Sequence, residues 1–435
     1  MNRSRGLVAC LALAALVGAA FVVPSAGAVD PGRRAAAKTR AEARKVSLGS
    51  GVSFTTVTKS AIPLRYYVIS LAPQKAGTVD VAMAGNVFGS YAKLSSIAGN
   101  RNALAGINGD FSDNGMPVHP FAEDGNLISG GLNKGASFSV ARDKADAYLD
   151  NLNISATGLN TRTSNSFDVD EWNSGQPTGA EVSAFTPTGG SRQKAPGSGV
   201  CAAKLVADGP YRFGGGNVGL VRDYTVDKNV CGSPPPVAGG LLLTAKRDTS
   251  AANNVIEPMR VASTVRLTWR VADWRKTMDV IGGAPLLVQN GRKVADDGCD
   301  WYFCDRNPRS GVGIKADGTV LLIAVDGRSS SSKGVTPEGF AQIFLDLNAR
   351  YAVNLDGGGG ATMWVRGRGV VNRPSDGGER PLTNAILVLP GSDASEPNPA
   401  RVAHSLVSDR RAAAAEHAAM TDPASTGGLL DALGG

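Results

Sequence analysis

Histidine is scarce in this chain: of 435 residues only His119, His404 and His417 carry an imidazole, and the last two lie in an Ala-rich tail. A Ser-His-Asp machine would have to use His119, and no nucleophile-elbow pattern accompanies it. No H-E-x-x-H and no P-loop is present, so zinc peptidase and nucleotide-phosphate chemistry are excluded on motif grounds. Acid–base work must therefore rest mainly on carboxylates. Aromatic residues make up 6% and charged residues 19%, and no basic-and-aromatic module of a nucleic-acid binder is visible. Paired C-x-x-C spacing is missing, which argues against a zinc site. Beyond the N-terminus no stretch is long and apolar enough to span a bilayer.

The N-terminus itself reads as an export signal over residues 1–28. Arg3 and Arg5 precede the uncharged run Gly6 to Val23, and Ala26-Gly27-Ala28 offers small residues at the cleavage spacing. An uncleaved anchor is the competing reading, disfavoured by the shortness of the run. Loss of Arg3 and Arg5 would lower the formal charge from +7 to +5, with the excess concentrated in a basic linker over 29–50. The expected setting is secreted, extracellular or attached to the cell envelope. Cys201, Cys231, Cys299 and Cys304 remain after the signal. Four cysteines in an exported chain suggest two disulfides, and sequence nearness favours Cys201–Cys231 and Cys299–Cys304 among three connectivities.

Glycine is abundant, with 55 copies, which points to many tight turns between short strands. The expected fold is α+β: a twisted mixed sheet with a few packed helices and many Gly-rich turns. One domain over 51–391 should carry a variable, loop-rich middle at about 150–250, followed by a polar tail over 392–435. Strand patterns occur at 51–57, 64–71, 135–140, 261–269 and, broken, at 280–288. Thr319 to Val325 is an uninterrupted apolar strand. Thr336 before Pro337, with Phe340, Ile343, Phe344 and Leu347 behind, predicts a helix over 336–348. A strand over 351–355 then stops at Asp356-Gly357-Gly358-Gly359-Gly360.

Four segments carry candidate chemistry. They are Asn108-Gly109-Asp110-Phe111-Ser112; Arg306 to Gly313 with Arg309; Asp326-Gly327-Arg328; and Asn354-Leu355-Asp356 with its four glycines, completed by Pro374-Ser375-Asp376-Gly377-Gly378-Glu379-Arg380-Pro381. A strand ending in Asp and several glycines places a carboxylate where backbone can approach a ligand, and successive N–H groups can form an anion nest. Arginines grip phosphate oxygens in two-pronged fashion. Taken singly, each segment is as well explained by an ordinary hairpin turn; their joint order is not.

In that order they resemble the phosphodiester glycosidases, over roughly 80–390 and least across 150–250. Ala105 to Phe111 looks like the family's early Asn-Gly-Gly segment, Ile281 to Val288 with Gly291 like its central glycine strand, and Asn307 to Gly313 like its Pro-Arg-Thr segment. The Asp326, Asp356 and Asp376 segments follow in family order. Two departures stand out: Asp110 replaces a more usual glycine, and Gly360-Ala361 replaces a usual Ser or Thr. The resemblance implies hydrolysis of the C1–O bond of a sugar linked through phosphate. It implies Asp356 as the leading carboxylate, with Asp326 or Glu379 as partner. Arg309, Arg328 and Arg380 would hold the phosphate, with Asn108 and Asn354 on sugar hydroxyls, and Gly109, Gly357, Gly358, Ser375 and Asp376 completing the binding surface. The partner is a phosphate-linked glycan or sugar-1-phosphodiester, with no nucleic acid and no stable membrane span after signal cleavage. The resemblance fixes no cofactor; calcium or magnesium are the candidate ions, which Asp326, Asp356 and Asp376 would suit as oxygen ligands. Two rivals stay open: a glycan-phosphate-binding protein without catalysis, and a metal-dependent phosphodiesterase cutting P–O.

Overall fold

The computed structural model describes residues 41–391, except 73–76, 130–135, 142–146, 152–153, 193–196, 215–218, 272–276 and 296–301. The expected signal, the start of the linker, the tail and Cys299 lie outside the described residues.

Antiparallel sheet dominates. An eight-stranded sheet runs in the order 41–49, 52–59, 64–71, 320–325, 309–315, 349–354, 286–289, 292–293. A five-stranded sheet of 369–370, 363–365, 105–108, 384–389 and 78–83 faces it, and a second holds 147–150, 136–141, 277–283, 121–123 and 126–129. Among the described strand pairs the only parallel one joins Glu171–Trp172 to Val182–Phe185. The expected mixed sheet is thus almost wholly antiparallel, and the described residues include two α-helices, α1 (Leu94–Asn100) and α2 (Pro337–Asp346).

The apolar run Val320–Val325 is buried on both faces, which is why it lacks alternation. Leu322 and Ala324 enter the core shared with the five-stranded sheets, while Leu321, Ile323 and Val325 pack under Phe340, Ile343 and Phe344 of α2. Thr336 caps α2 by accepting the Gly339 N–H at 3.0 Å, with Pro337 at the first helical position. On the other side, α1 lays Leu94, Ile97 and Ala98 on Ala82, Ala385 and Leu387. Within the described residues, α2, the eight-stranded sheet, the first five-stranded sheet and α1 pack as successive layers.

Two expectations change. Ala41–Gly49, read as linker, is an edge strand paired with Val52–Lys59; its Arg and Lys side chains stay in water, as suits an edge. The middle of the chain is not mainly loops. It builds most of a nine-stranded sheet with its own core, including Trp172, Tyr224, Leu243 and Trp269. Short strands with polar outer faces and glycine-rich connections hid it from a reading of composition. Cys201 and Cys231 stand directly opposite on two of its strands and are bonded. Cys304 is also disulfide-bonded. Among the described residues no helix is long and apolar enough to cross a membrane.

Candidate active site

Strand ends from different sheets meet around Asp356. Asn108 closes the strand Ala105–Asn108, and Asp356 follows Ala349–Asn354. The two are tied: Asn108 Nδ2 donates to the Asp356 carbonyl at 2.7 Å, and the Asp356 N–H donates to the Gly109 carbonyl at 3.0 Å. Asn108 Oδ1 accepts from Ser310 Oγ at 2.6 Å and from the Thr362 N–H at 3.0 Å. With the side chain wholly buried, Asn108 joins three segments and has no face for a sugar. Asn354 behaves likewise, donating to the carbonyls of Ala284 and Leu355 at 2.9 and 2.6 Å from a buried position.

The glycines of this site are required by crowding. A Cβ on Gly360 would collide with Asp356 Oδ2, one on Gly359 with the Asp376 carboxylate, and one on Gly109 with Asn384 Oδ1. Gly358, at φ +56°, lies under the Arg328 guanidinium, whose Nη2 would be 3.2 Å from its Cβ. Of the N–H groups expected to form an anion nest, that of Gly358 donates to the Pro308 carbonyl of a separate segment, that of Gly360 to Gly357 within a turn, and that of Gly357 to the Asp356 carboxyl. These three are already used, and the glycines serve to seat side chains.

Among the expected site carboxylates, Asp356 is the most strongly shifted. Burial pushes its carboxyl up to about 6, against the pull of the Arg380 guanidinium and the Gly357 N–H, while the neighbouring Asp110 and Asp376 charges push it further up. Above it, Arg380 Nη2 donates to Asp376 Oδ2 at 2.6 Å, and that hydrogen bond holds the Asp376 carboxyl below its ordinary range. Arg328 is exposed and donates from Nε and Nη2 to Asn307 Oδ1 at 3.2 and 3.0 Å. Its Nη1 reaches Ser375 Oγ at 3.5 Å.

Three expected site residues are otherwise employed. Arg309 is 2% exposed, lies over the Phe303 ring at 4.8 Å, and donates to the carbonyls of Val335, Phe303 and Asp305. It braces a loop and cannot reach a phosphate. Glu379 Oε2 accepts the Ser95 N–H at 2.8 Å, serving the first turn of α1. Asp326 is 4% exposed and takes the Arg373 N–H at 2.7 Å and the Tyr67 hydroxyl at 3.1 Å. Burial raises its carboxyl, opposed by those two donors. Among the described residues, Asp326, Asp356 and Asp376 do not form a set with converging oxygens. The acidic set that does is Asp80, Asp124 and Asp279, and Arg101 stands 3.6 Å from Asp80 within it.

A residue pair absent from the expected site is present here. Asp110, 6% exposed, faces His119 with Oδ1 2.7 Å from Nδ1. The available signals were modest: Asp110 departs from the family glycine, and His119 is the one histidine outside the tail.

Residues 216–389 match the phosphodiester glycosidase family model. This phosphodiester glycosidase match contains Asp326, Asp356, Asp376 and Arg380 and leaves the Asn108–His119 segment outside it. An uncharacterized protein of a Bacillus subtilis prophage, YomE, is 37% identical over 83 residues, 19% of this chain and 13% of its own length. A hypothetical protein from Synechocystis superposes with a TM-score of 0.62 at 20% identity, covering 80% of this chain and 63% of its own. A Burkholderia pseudomallei protein does so with a TM-score of 0.56 at 17% identity, covering 81% and 97%. The chain thus spans a small part of YomE and less than two thirds of the Synechocystis chain. At these identities the two structures share the fold.

Proposed function

We propose that this protein is an exported hydrolase that cleaves the C1–O bond of a sugar joined through phosphate to a cell-envelope or extracellular glycan. The observation that carries the reading is the Asp356 carboxyl at a strand end, pushed up to about 6 by burial and acted on by the Arg380 charge, with Arg328 close to the neighbouring Ser375 and Asp376. A phosphate monoester has a second pKa of about 6, so it leaves with little protonation. The demanding part of the reaction is the positive charge that grows at C1 and the ring oxygen. An ionised Asp356 in a poorly solvated position stabilises that charge strongly. Arg328 and Arg380, both exposed, supply the positive field for the phosphate. Asp376 holds Arg380 in place and so aims it. Export follows from the signal-like residues 1–28.

Hydrolysis of sugar-1-phosphodiesters by the protein lacking residues 1–28, in water enriched in heavy oxygen, tests this. Label in the released sugar is the expected outcome. Label in the phosphate overturns the reading in favour of a phosphodiesterase. Saturable binding without turnover overturns it in favour of a glycan-phosphate binder.

A further inference from the structure

Water must lose a proton when it attacks C1, and nothing assigned above takes it. Bulk water has a pKa of about 15.7, whereas the leaving phosphate monoester needs little help, its second pKa being about 6. The reaction therefore calls for a base rather than for a strong acid.

Asp110 and His119 are built as such a base. Asp110 spends its carboxylate on one segment: Oδ1 accepts the Phe111 N–H at 2.7 Å and faces His119 Nδ1 at 2.7 Å, and Oδ2 accepts the His119 backbone N–H at 2.8 Å. The Asp110 N–H in turn donates to Asn384 Oδ1 at 2.7 Å. Burial raises the Asp110 carboxyl against the pull of its His119 and Phe111 hydrogen bonds. In its ionised form it only accepts, and the hydrogen of the pair then belongs to His119 Nδ1, which leaves Nε2 as the ring atom able to take a proton. The ring is fixed further. His119 Cβ fills the space that a side chain on Gly282 would need, and the Phe111 ring stands edge-on at 6.4 Å. The same segment is bonded to Asp356 through the Gly109 carbonyl, and the Asp110 charge is felt at the Asp356 carboxyl. The His119 side chain remains 11% exposed, against 0% for Asp110.

We propose that His119 is the general base for the attacking water and that Asp110 is its positioning residue. The inference rests on the glycosidase reading and adds a residue to it. The water oxygen bonds to C1 as the C1–O(phosphate) bond breaks. The electron pair of that bond stays on the phosphate monoester, and the water proton goes to His119 Nε2 and then to solvent. Sugar, phosphate monoester and proton account for every atom.

Azide needs no deprotonation and provides the test. In His119→Ala, kcat in water should fall about 100-fold or more, and azide should restore turnover with glycosyl azide as product. Asp110→Asn should fall about tenfold or more as the ring loses its fixed tautomer, with the Nδ1-bound proton of His119 lost from the nitrogen NMR spectrum. Azide should leave Asp356→Asn unrescued. His119→Gln within about threefold of the parent kcat, or a folded His119→Ala that azide does not rescue, overturns the proposal. Heavy-oxygen labelling of the parent enzyme separates the two readings. Label in the sugar with full activity in His119→Gln removes the base alone, and label in the phosphate removes both.

Discussion

Asp356 Oδ2 occupies the space that a side chain at Gly360 would fill. The absence of a hydroxyl residue at 360 is therefore a condition for this carboxylate's placement. Gly360→Ala and Gly360→Ser should both displace Asp356 and lower kcat on the order of 100-fold, the scale of a misplacement of about 1 Å. KM should change little. Parent-like kcat in the Ser variant would show that the Asp356 rotamer has no bearing on turnover.

Asp356 should trade stability for activity. Its folded-state carboxyl is raised to about 6 from an ordinary value of 3.8, so the native state binds that proton more tightly than the unfolded chain. Its contribution to stability is present at low pH and is lost as pH rises from about 4 through about 6. Asp356→Asn should raise Tm at pH 8 and leave it near the parent at pH 4, while kcat falls on the order of 100-fold or more. Thermal melts across that range check the sign. A pH-independent change in Tm would contradict it.

Arg380 lowers the Asp356 carboxyl. In Arg380→Ala the acid limb of kcat/KM should move to higher pH than in the parent. KM for a sugar-1-phosphodiester should rise, with less change for an aryl glycoside lacking phosphate. An unmoved limb and equal KM effects on both substrates would separate Arg380 from the site.

Arg309 should matter for folding instead. Removing its guanidinium in Arg309→Met leaves the carbonyls of Val335, Phe303 and Asp305 without that donor. A loss of about 3 kcal/mol in urea unfolding is expected, with near-parent KM in the folded fraction. A large KM increase at parent stability would return Arg309 to the phosphate.

The Cys201–Cys231 disulfide closes a loop with a sequence separation of 30 in the nine-stranded sheet. Replacing both cysteines by Ser should destabilise the fold by about 3–4 kcal/mol. Turnover below the melting range should be unchanged, because neither cysteine touches the Asp356 neighbourhood. A fall in kcat at full folding would couple the two regions.

Local pattern sufficed for the elements whose burial is uniform along the chain. The doubly buried run Val320–Val325, the capped helix behind Thr336 and the glycine stop after Asp356 are all legible in one dimension, because neighbours in sequence report the same environment. The sequence by itself therefore determined the strand–Asp–glycine layout, and nearness in the chain favoured the cysteine pair that the fold sets opposite one another on two strands. Tertiary structure decided the rest. Whether an arginine meets solvent or three carbonyls depends on a loop folded against it, as at Arg309 but not Arg328. Whether a carboxylate is free depends on donors far away in sequence, as Tyr67 is for Asp326 and Ser95 for Glu379. The link between Asp110, His119 and Asp356 forms only when strand ends from separate sheets converge, since hydrogen bonding and desolvation act through space and leave no period in the chain.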